Sequence, residues 1–378
     1  MIVFQIVNNI SIDSFGGGAE MFALRLAEKV SEDLKSHVIS VWHYGTDKER
    51  QITESLQGKV VIHYLLDAIP MKKADVINLY RKLKKIFTSF PPTVINSHSP
   101  LPDVVNFFIK LFMGHKVKAV RTMHTDKEWV PNKCLENWTL NIFPFIFDSE
   151  VAISRATKIR LDERPIAKLL KKQSVFIPNG ISEGVMNYLK NNPIPARTQN
   201  SFKLVTVGRL TEQKGYKYLI EAIRILSDSY ILGEKNISLS IIGEGHLKTE
   251  LLLLTDRYNL TDKIHFLGYR QDVLQIVASS DLFVSSSLWE GIPTVLLEAM
   301  ALNVPIIATD IPGTKELVVD RQTGILVQPK SPEQLARAIS EFVTNPDTSR
   351  PFIEAANSYV REYSMVKVKE KYLDIYSS

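Results

Sequence analysis

The sequence predicts an α/β protein built from two doubly wound parallel sheets in series. Three observations carry that prediction. Short β-branched runs alternate with amphipathic helical patterns along the whole chain of 378 residues, which is the mark of consecutive βαβ units. The rhythm breaks once, between Asn179 and Ser201, and then restarts. The length accommodates two domains of about 150 residues with additions.

The first half opens on a strand-like run, Ile2–Val7, followed by an amphipathic stretch from Ala19 to about Leu34. Further strand-like runs are Val38–Trp42, Val60–Leu65, Thr93–Asn96, Val117–Arg121, Glu150–Ile153 and Val175–Ile177, with helical patterns between most of them. The break holds Gly180, Pro193, Pro195 and a scatter of asparagines (Asn187, Asn191, Asn192, Asn200), a turn-forming composition. It divides the chain into a first domain over residues 1–183, a linker over 184–201 and a second domain over 202–360. In the second half the strand-like runs are Lys203–Val207, Ser238–Ile242, Lys263–Leu267, Leu282–Ser285, Pro305–Ala308 and Gly324–Val327. After Pro351 the chain reads as helical, and its last stretch, about 361–378, is expected to cross back onto the first domain. Two such domains facing each other leave a cleft at the carboxyl ends of their strands, where ligands bind in this class.

Composition narrows the function. Hydrophobic residues at 45% and charged residues at 23% are ordinary for a globular protein. The one cysteine, Cys134, excludes an intramolecular disulfide and any multi-thiolate metal site. No apolar run reaches the roughly 20 residues of a membrane span, and the first seven residues carry no basic leader; the expected setting is cytoplasmic. Residues 1–185 hold 25 Lys and Arg against 19 Asp and Glu, whereas residues 186–378 hold 21 against 22. The basic excess therefore sits in the first half, where it suits a phosphorylated substrate or an anionic membrane. No RNA- or DNA-binding motif accompanies it, so nucleic acid is not an expected partner.

Three segments carry chemistry. In Trp289-Glu290-Gly291-Ile292-Pro293-Thr294-Val295-Leu296-Leu297-Glu298 a strand leads into a loop bearing Glu290, and a helix then opens near Pro293. Free amides around Thr294, Val295 and Leu296 suit a phosphate. Glu290 and Glu298 can flank it and accept from sugar hydroxyls. Isolated, such a pair more often reads as a solvated loop carboxylate and a surface helical one. In Val207-Gly208-Arg209-Leu210-Thr211-Glu212-Gln213-Lys214-Gly215, Arg209 and Lys214 share one strand-to-helix loop and can both reach a diphosphate. The first loop, Ser14-Phe15-Gly16-Gly17-Gly18-Ala19, lets backbone approach a ligand before a helix N-terminus. It lacks the G-x-G-x-x-G spacing and the acidic residue of a dinucleotide site.

Together these segments resemble family 4 of the retaining glycosyltransferases, which have the two-domain GT-B architecture. Further similarities are His124 in Val120-Arg121-Thr122-Met123-His124, Ile177-Pro178-Asn179-Gly180, Ile241-Ile242-Gly243-Glu244-Gly245, Thr309-Asp310-Ile311-Pro312-Gly313 and Thr323-Gly324-Ile325. The resemblance implies that Glu290, first of an E-x7-E pair that also includes Gly291, contacts the donor sugar, and that Glu298 holds the ribose. It implies that Arg209 and Lys214 neutralise the diphosphate, that Gly17 and Gly18 face the donor, that His124 lies beside the reacting carbon, and that Tyr269 and Arg270 receive the base. The expected donor is a UDP- or GDP-sugar, and the acceptor a glycan or lipid-linked saccharide of cell-surface polysaccharide or glycolipid synthesis. No cofactor or metal is expected: no D-x-D pair is present, and fixed cations and amides stabilise a leaving diphosphate unaided. Other readings are a sugar-nucleotide epimerase of the same architecture and a non-catalytic nucleotide-sugar-binding module.

The chain departs from the family pattern at two places. Leu302-Asn303 stands where a small residue and glycine are usual, which predicts an altered helix end. Ser285-Ser286-Ser287-Leu288-Trp289 lacks a common proline. Two segments bear on the basic first half. Lys72–Phe87 places Leu79, Leu83, Ile86 and Phe87 at helical spacing among Arg81, Lys82, Lys84 and Lys85, as in a basic amphipathic helix on an anionic membrane or equally a core-facing helix with a solvated basic face. Val104–Met113, with Phe107, Phe108, Ile109, Leu111, Phe112 and Met113, reads as a buried core helix.

Overall fold

The computed structural model describes residues 1–10, 18–67, 73–124, 141–192, 201–229 and 236–378. The chain divides into one unit of Met1–Gly180 with Met365–Ser378 and a second of Ile181–Ser364. The first holds a seven-stranded sheet: β1 (Ile2–Val7), β2 (Lys35–His43), β3 (Val61–Asp67), β4 (Val94–Ser97), β5 (Lys118–Met123), β6 (Ser149–Ala152) and β7 (Val175–Phe176). Its order is β3-β2-β1-β4-β5-β6-β7 and every pairing is parallel. The second holds β8 (Ser201–Val207), β9 (Asn236–Ile242), β10 (Ile264–Gly268), β11 (Leu282–Ser285), β12 (Ile306–Thr309) and β13 (Ile325–Val327) in the order β10-β9-β8-β11-β12-β13, again parallel. Strand order reverses at β1/β4 and at β8/β11, and such switch points open crevices at the carboxyl ends of strands.

Helices cover both faces of a parallel sheet, so its strands read as near-continuous apolar runs. In β1 (IVFQIV) the last five residues are buried, and Gln5 is the one polar residue among them. The helices that matter below are α1 (Gly18–Val30), α2 (Lys73–Ser89), α3 (Pro100–Met113), α4 (Thr294–Ala301), α5 (Ser349–Val360) and α6 (Met365–Ser377).

The returning C-terminal helix is α6. Met365, Val368, Tyr372, Ile375 and Tyr376 complete a core with Val3, Phe22, Leu26, Val94 and Val120. Lys369 adds ion pairs to Asp33 (2.8 Å) and Glu32 (3.3 Å). It begins four residues later than its sequence pattern suggests. Arg361–Tyr363 forms a separate 3-10 turn, and the Tyr363 carbonyl accepts from the Ile181 amide (2.9 Å). The segment read as linker is structured at its start. Ser182 caps a short helix over Glu183–Met186 whose Val185 is buried, and this turn packs on α4 in the second unit. Residues 193–200 lie outside the described residues.

The helix read as a membrane surface packs against the core, and the helix read as core is exposed along one face. Leu79, Leu83, Ile86 and Phe87 of α2 pack on the core of the first sheet, while Arg81, Lys82, Lys84 and Lys85 point outward. In α3 the core reading holds for one face, that of Val105, Phe107 and Ile109. The other face exposes Phe108 (48%), Leu111 (59%) and Phe112 (71%), with Tyr80 of α2 against Phe112 at 6.1 Å between ring centroids. A helix whose apolar residues spread beyond one face has more greasy surface than one sheet can cover.

The unusual Leu302-Asn303 pair has a local explanation. Asn303 adopts φ 57° directly after α4, a conformation asparagine tolerates next best to glycine. Its side chain is held by Asn357 Nδ2 of α5 at 2.7 Å.

Candidate functional site

In the second unit the site is built by the loops that leave β8 and β11 on either side of the switch point. After β8, Glu212–Lys214 forms one 3-10 turn that ends in Gly215 at φ 59°. A Cβ at Gly215 would lie 2.3 Å from the Ser286 carbonyl oxygen, so only glycine lets the two loops touch. They are then stitched: Ser286 Oγ donates to the Lys214 carbonyl (2.8 Å) and the Leu288 amide to the Gln213 carbonyl (2.7 Å).

This contact delivers Glu290, 8% exposed at its side chain, to Lys214, 17% exposed, at 2.5 Å. Ser287 Oγ donates to the same carboxylate oxygen (2.8 Å), and Gln213 Nε2 donates to the other (3.1 Å). Glu290 is thus a fixed hydrogen-bond acceptor. Lys214, expected on a diphosphate, is paired with this carboxylate. Arg209 is exposed and has no side-chain partner among the described residues, so it is the free cation of the loop.

Gly243, after β9, sets the position of that loop from below. It adopts φ 139°, and a Cβ there would fall 2.1 Å from the Gly208 carbonyl oxygen. Backbone therefore lies directly on backbone beneath Arg209.

The helix after Glu290 starts one residue later than expected. Pro293 is the N-cap of α4 rather than part of its first turn, and no side chain caps the helix. The Leu296 amide is taken by the Pro293 carbonyl (3.0 Å) and its side chain is buried, so it is a core residue and offers no amide to a ligand. Thr294 and Val295, both half-buried, have first-turn amides without an intrahelical acceptor. Gly291 is half-buried before them, and Glu298 is half-buried one turn on. Tyr269 (57% exposed) and Arg270 follow β10 at the sheet edge, Arg270 forking onto Asp272 at 2.7 and 2.8 Å.

In the first unit His124 directly follows β5, and Gly18 is the exposed first residue of α1. Gly17 lies outside the described residues. His124 Nε2 is 3.1 Å from Nδ1 of His98, which follows β4, and His98 Nε2 is 2.7 Å from Gln5 Oε1. Burial pushes His124 down to about 3, and burial and then the neighbouring His124 hold His98 well below the usual imidazole range. Both rings are therefore neutral near pH 7 and cannot serve there as charged acids.

Two sets of residues were not legible as site residues in sequence. Ser286, Ser287 and Gln213 hold Glu290 and its loop; the serine run after β11 was the available signal. Gln5 stood out only as the polar interruption of an apolar strand.

Residues 188–359 match the family model for glycosyl transferases group 1, and residues 16–184 that for glycosyltransferase family 4. An uncharacterized glycosyltransferase of Methanocaldococcus jannaschii is 26% identical over 84% of this chain and 82% of its own length. The Escherichia coli UDP-Gal:α-D-GlcNAc-diphosphoundecaprenol α-1,3-galactosyltransferase is 31% identical over 47% of this chain and 46% of its own. The crystal structure of HepE from Anabaena in complex with UDP-glucose is similar in fold, with a TM-score of 0.78 over 100% of this chain and 99% of that one at 18% identity.

Proposed function

Because the chain belongs to the group 1, family 4 glycosyltransferases of GT-B fold, we propose that it transfers a sugar, with retention at the anomeric carbon, from a UDP- or GDP-sugar to a lipid-linked or free glycan. The observation that carries this is the locked Glu290. A buried carboxylate that accepts from Lys214, Ser287 and Gln213 is oriented before any ligand arrives, as a group that recognises sugar hydroxyls must be. Arg209 and the amides of Thr294 and Val295 supply positive potential for a leaving diphosphate, so no metal is invoked. In this reading the departing phosphate takes the acceptor's proton as the new bond forms on the same face. The Escherichia coli relative acts on a diphosphoundecaprenol-linked sugar, which supports the acceptor class and a role in surface-glycan synthesis.

Thermal unfolding with UDP, GDP and ADP, with and without attached sugars, tests the donor. A ligand bound by the folded state alone adds about 2.7 kcal/mol at a hundredfold excess over Kd, so one nucleotide should stand out. In Arg209→Ala its affinity should drop by tenfold or more, as a lost charge-assisted contact costs about 1.5–3 kcal/mol. No shift with any nucleotide would leave only a degenerate fold. Consumption of sugar nucleotide without release of free nucleotide diphosphate would instead indicate an epimerase.

We further propose that the first unit rests on the cytoplasmic face of an anionic membrane through α3, not through the apolar face of α2. The exposed Phe108, Leu111 and Phe112 supply insertion, and Arg81, Lys82, Lys84 and Lys85 supply attraction at about 1 kcal/mol per basic residue. Among the described residues no helix is long and apolar enough to cross a bilayer. Replacing Phe108, Leu111 and Phe112 by serine should lower cosedimentation with phosphatidylglycerol vesicles several-fold; undiminished binding would remove α3 from the interface.

A further inference from the structure

The polar side chains buried beneath His124 form one continuous chain that ends on the C-terminal helix. Gln5 Nε2 donates to the hydroxyl of Tyr376 at 3.1 Å. Asn96 Nδ2 donates to the same hydroxyl at 3.2 Å, and Asn96 Oδ1 accepts from Thr122 Oγ1 at 3.0 Å. Thr122 Oγ1 in turn lies 3.0 Å from the Tyr372 hydroxyl. With its NH2 directed at Tyr376, Gln5 turns its carbonyl oxygen to His98 Nε2 at 2.7 Å.

The polarity then propagates by chemistry alone. An amide oxygen only accepts, so His98 Nε2 carries the proton. A neutral imidazole has one N–H, so His98 Nδ1 is bare and accepts. His124 Nε2, 3.1 Å away, must therefore be the N–H that donates to it. That leaves His124 Nδ1 without a proton. This atom is buried and has no hydrogen-bond partner among the described residues. Phe22 lies against the ring at 5.3 Å between centroids and 62° between planes, which limits its rotation.

We infer that Tyr376, Gln5 and His98 are positioning residues that fix His124 as its Nε2–H tautomer, so that Nδ1 is presented as an acceptor for a hydroxyl or amide N–H of the donor sugar. The inference rests on the reading of His124 as a donor-sugar contact. It assigns the tautomer of a residue at the end of β5 to a helix contributed from the far end of the chain. A buried bare nitrogen costs free energy until a donor reaches it, so the site favours a sugar that offers a hydrogen at that position over a deoxy analogue.

The test is 15N NMR of the histidine rings in the full-length protein, with His124 assigned by its disappearance in His124→Gln. The expected spectrum shows His124 Nε2 protonated and Nδ1 unprotonated. A protonated Nδ1, which the reverse orientation of the Gln5 amide would produce, overturns the inference. Tyr376→Phe frees the Gln5 amide and should give a mixture of the two tautomers; Gln5→Glu, whose carboxylate can only accept from His98, should keep the single one. An unchanged pure tautomer in Tyr376→Phe removes the helix from the relay. In transfer assays Tyr376→Phe should lower kcat roughly 3–10-fold, the worth of one neutral hydrogen bond, without moving the nucleotide-induced thermal shift. Transfer with Nδ1 protonated would refute the relay and leave the enzyme reading intact. The stated tautomer in a protein that transfers no sugar would refute the sugar-recognition role together with that reading.

Discussion

Glu290→Gln should cut sugar transfer by about a hundredfold or more while the protein stays folded. The size follows from preorganisation: deleting one fixed group at a reacting centre typically costs 10²–10³ in kcat. Glutamine keeps the shape and an acceptor oxygen for Ser287, but it loses the charge opposite Lys214 and half the acceptor capacity. Part of the damage will be structural, because Lys214 is left largely buried without its carboxylate, and breaking such a pair is costly. The double variant Glu290→Gln with Lys214→Met separates the two effects. Removing the stranded ammonium should restore the unfolding midpoint toward that of the parent, and transfer should not return. Measured by release of nucleotide diphosphate, turnover in Glu290→Gln within threefold of the parent would exclude Glu290 from the chemistry.

Gly243→Ala should be among the most damaging single methyls in the second unit. The residue sits at φ 139°, and the new Cβ would lie 2.1 Å from the Gly208 carbonyl oxygen, a backbone atom with no rotamer to give way. Backbone strain of 1–3 kcal/mol and an overpacking penalty of similar size both apply, so a loss of about 3 kcal/mol or more is expected. Gly45→Ala is the control. It too has positive φ (66°), but nothing lies within 4 Å of its Cβ position, and only the conformational cost of roughly 1–2 kcal/mol remains. Denaturant midpoints of the two variants measure the difference. Equal midpoints would mean that the loops after β8 and β9 are not in contact. If Gly243→Ala survives, its nucleotide affinity should also fall, since Arg209 rides on the displaced segment.

The fold was legible because both sheets are parallel and buried on both faces. Each strand then announces itself as a short apolar run, and all thirteen strand-like runs correspond to strands within one to three residues at either end. Side-chain direction was less legible. The helical spacing in α2 and the apolar-rich run in α3 are both compatible with core or surface, and only the packing decides which face is spare. In the site, Glu290 and Arg209 announced themselves by charge in a loop after a strand. The partnership of Lys214 with Glu290 did not, since it depends on the close approach of two loops 76 residues apart in sequence. The Leu296 amide was misjudged for a related reason: helix N-termini shift by a residue according to local turn geometry, which composition does not encode.

The placement of α6 has a consequence for biogenesis. The first unit draws part of its core from residues that follow the whole second unit in the chain; the hydrogen bond from Gln5 to Tyr376 spans 371 positions. As the polypeptide leaves the ribosome, the second unit has every one of its strands in hand before the first can be sealed. Until Met365–Ser377 emerges, Val3, Val94 and Val120 have no Tyr372 or Ile375 to cover them, and the nascent sheet carries an apolar face of the kind that chaperones retain. Closure of the first unit is therefore a late event of high contact order, slower than closure of the second, and a polypeptide interrupted before Met365 leaves the first unit open however well the second has folded.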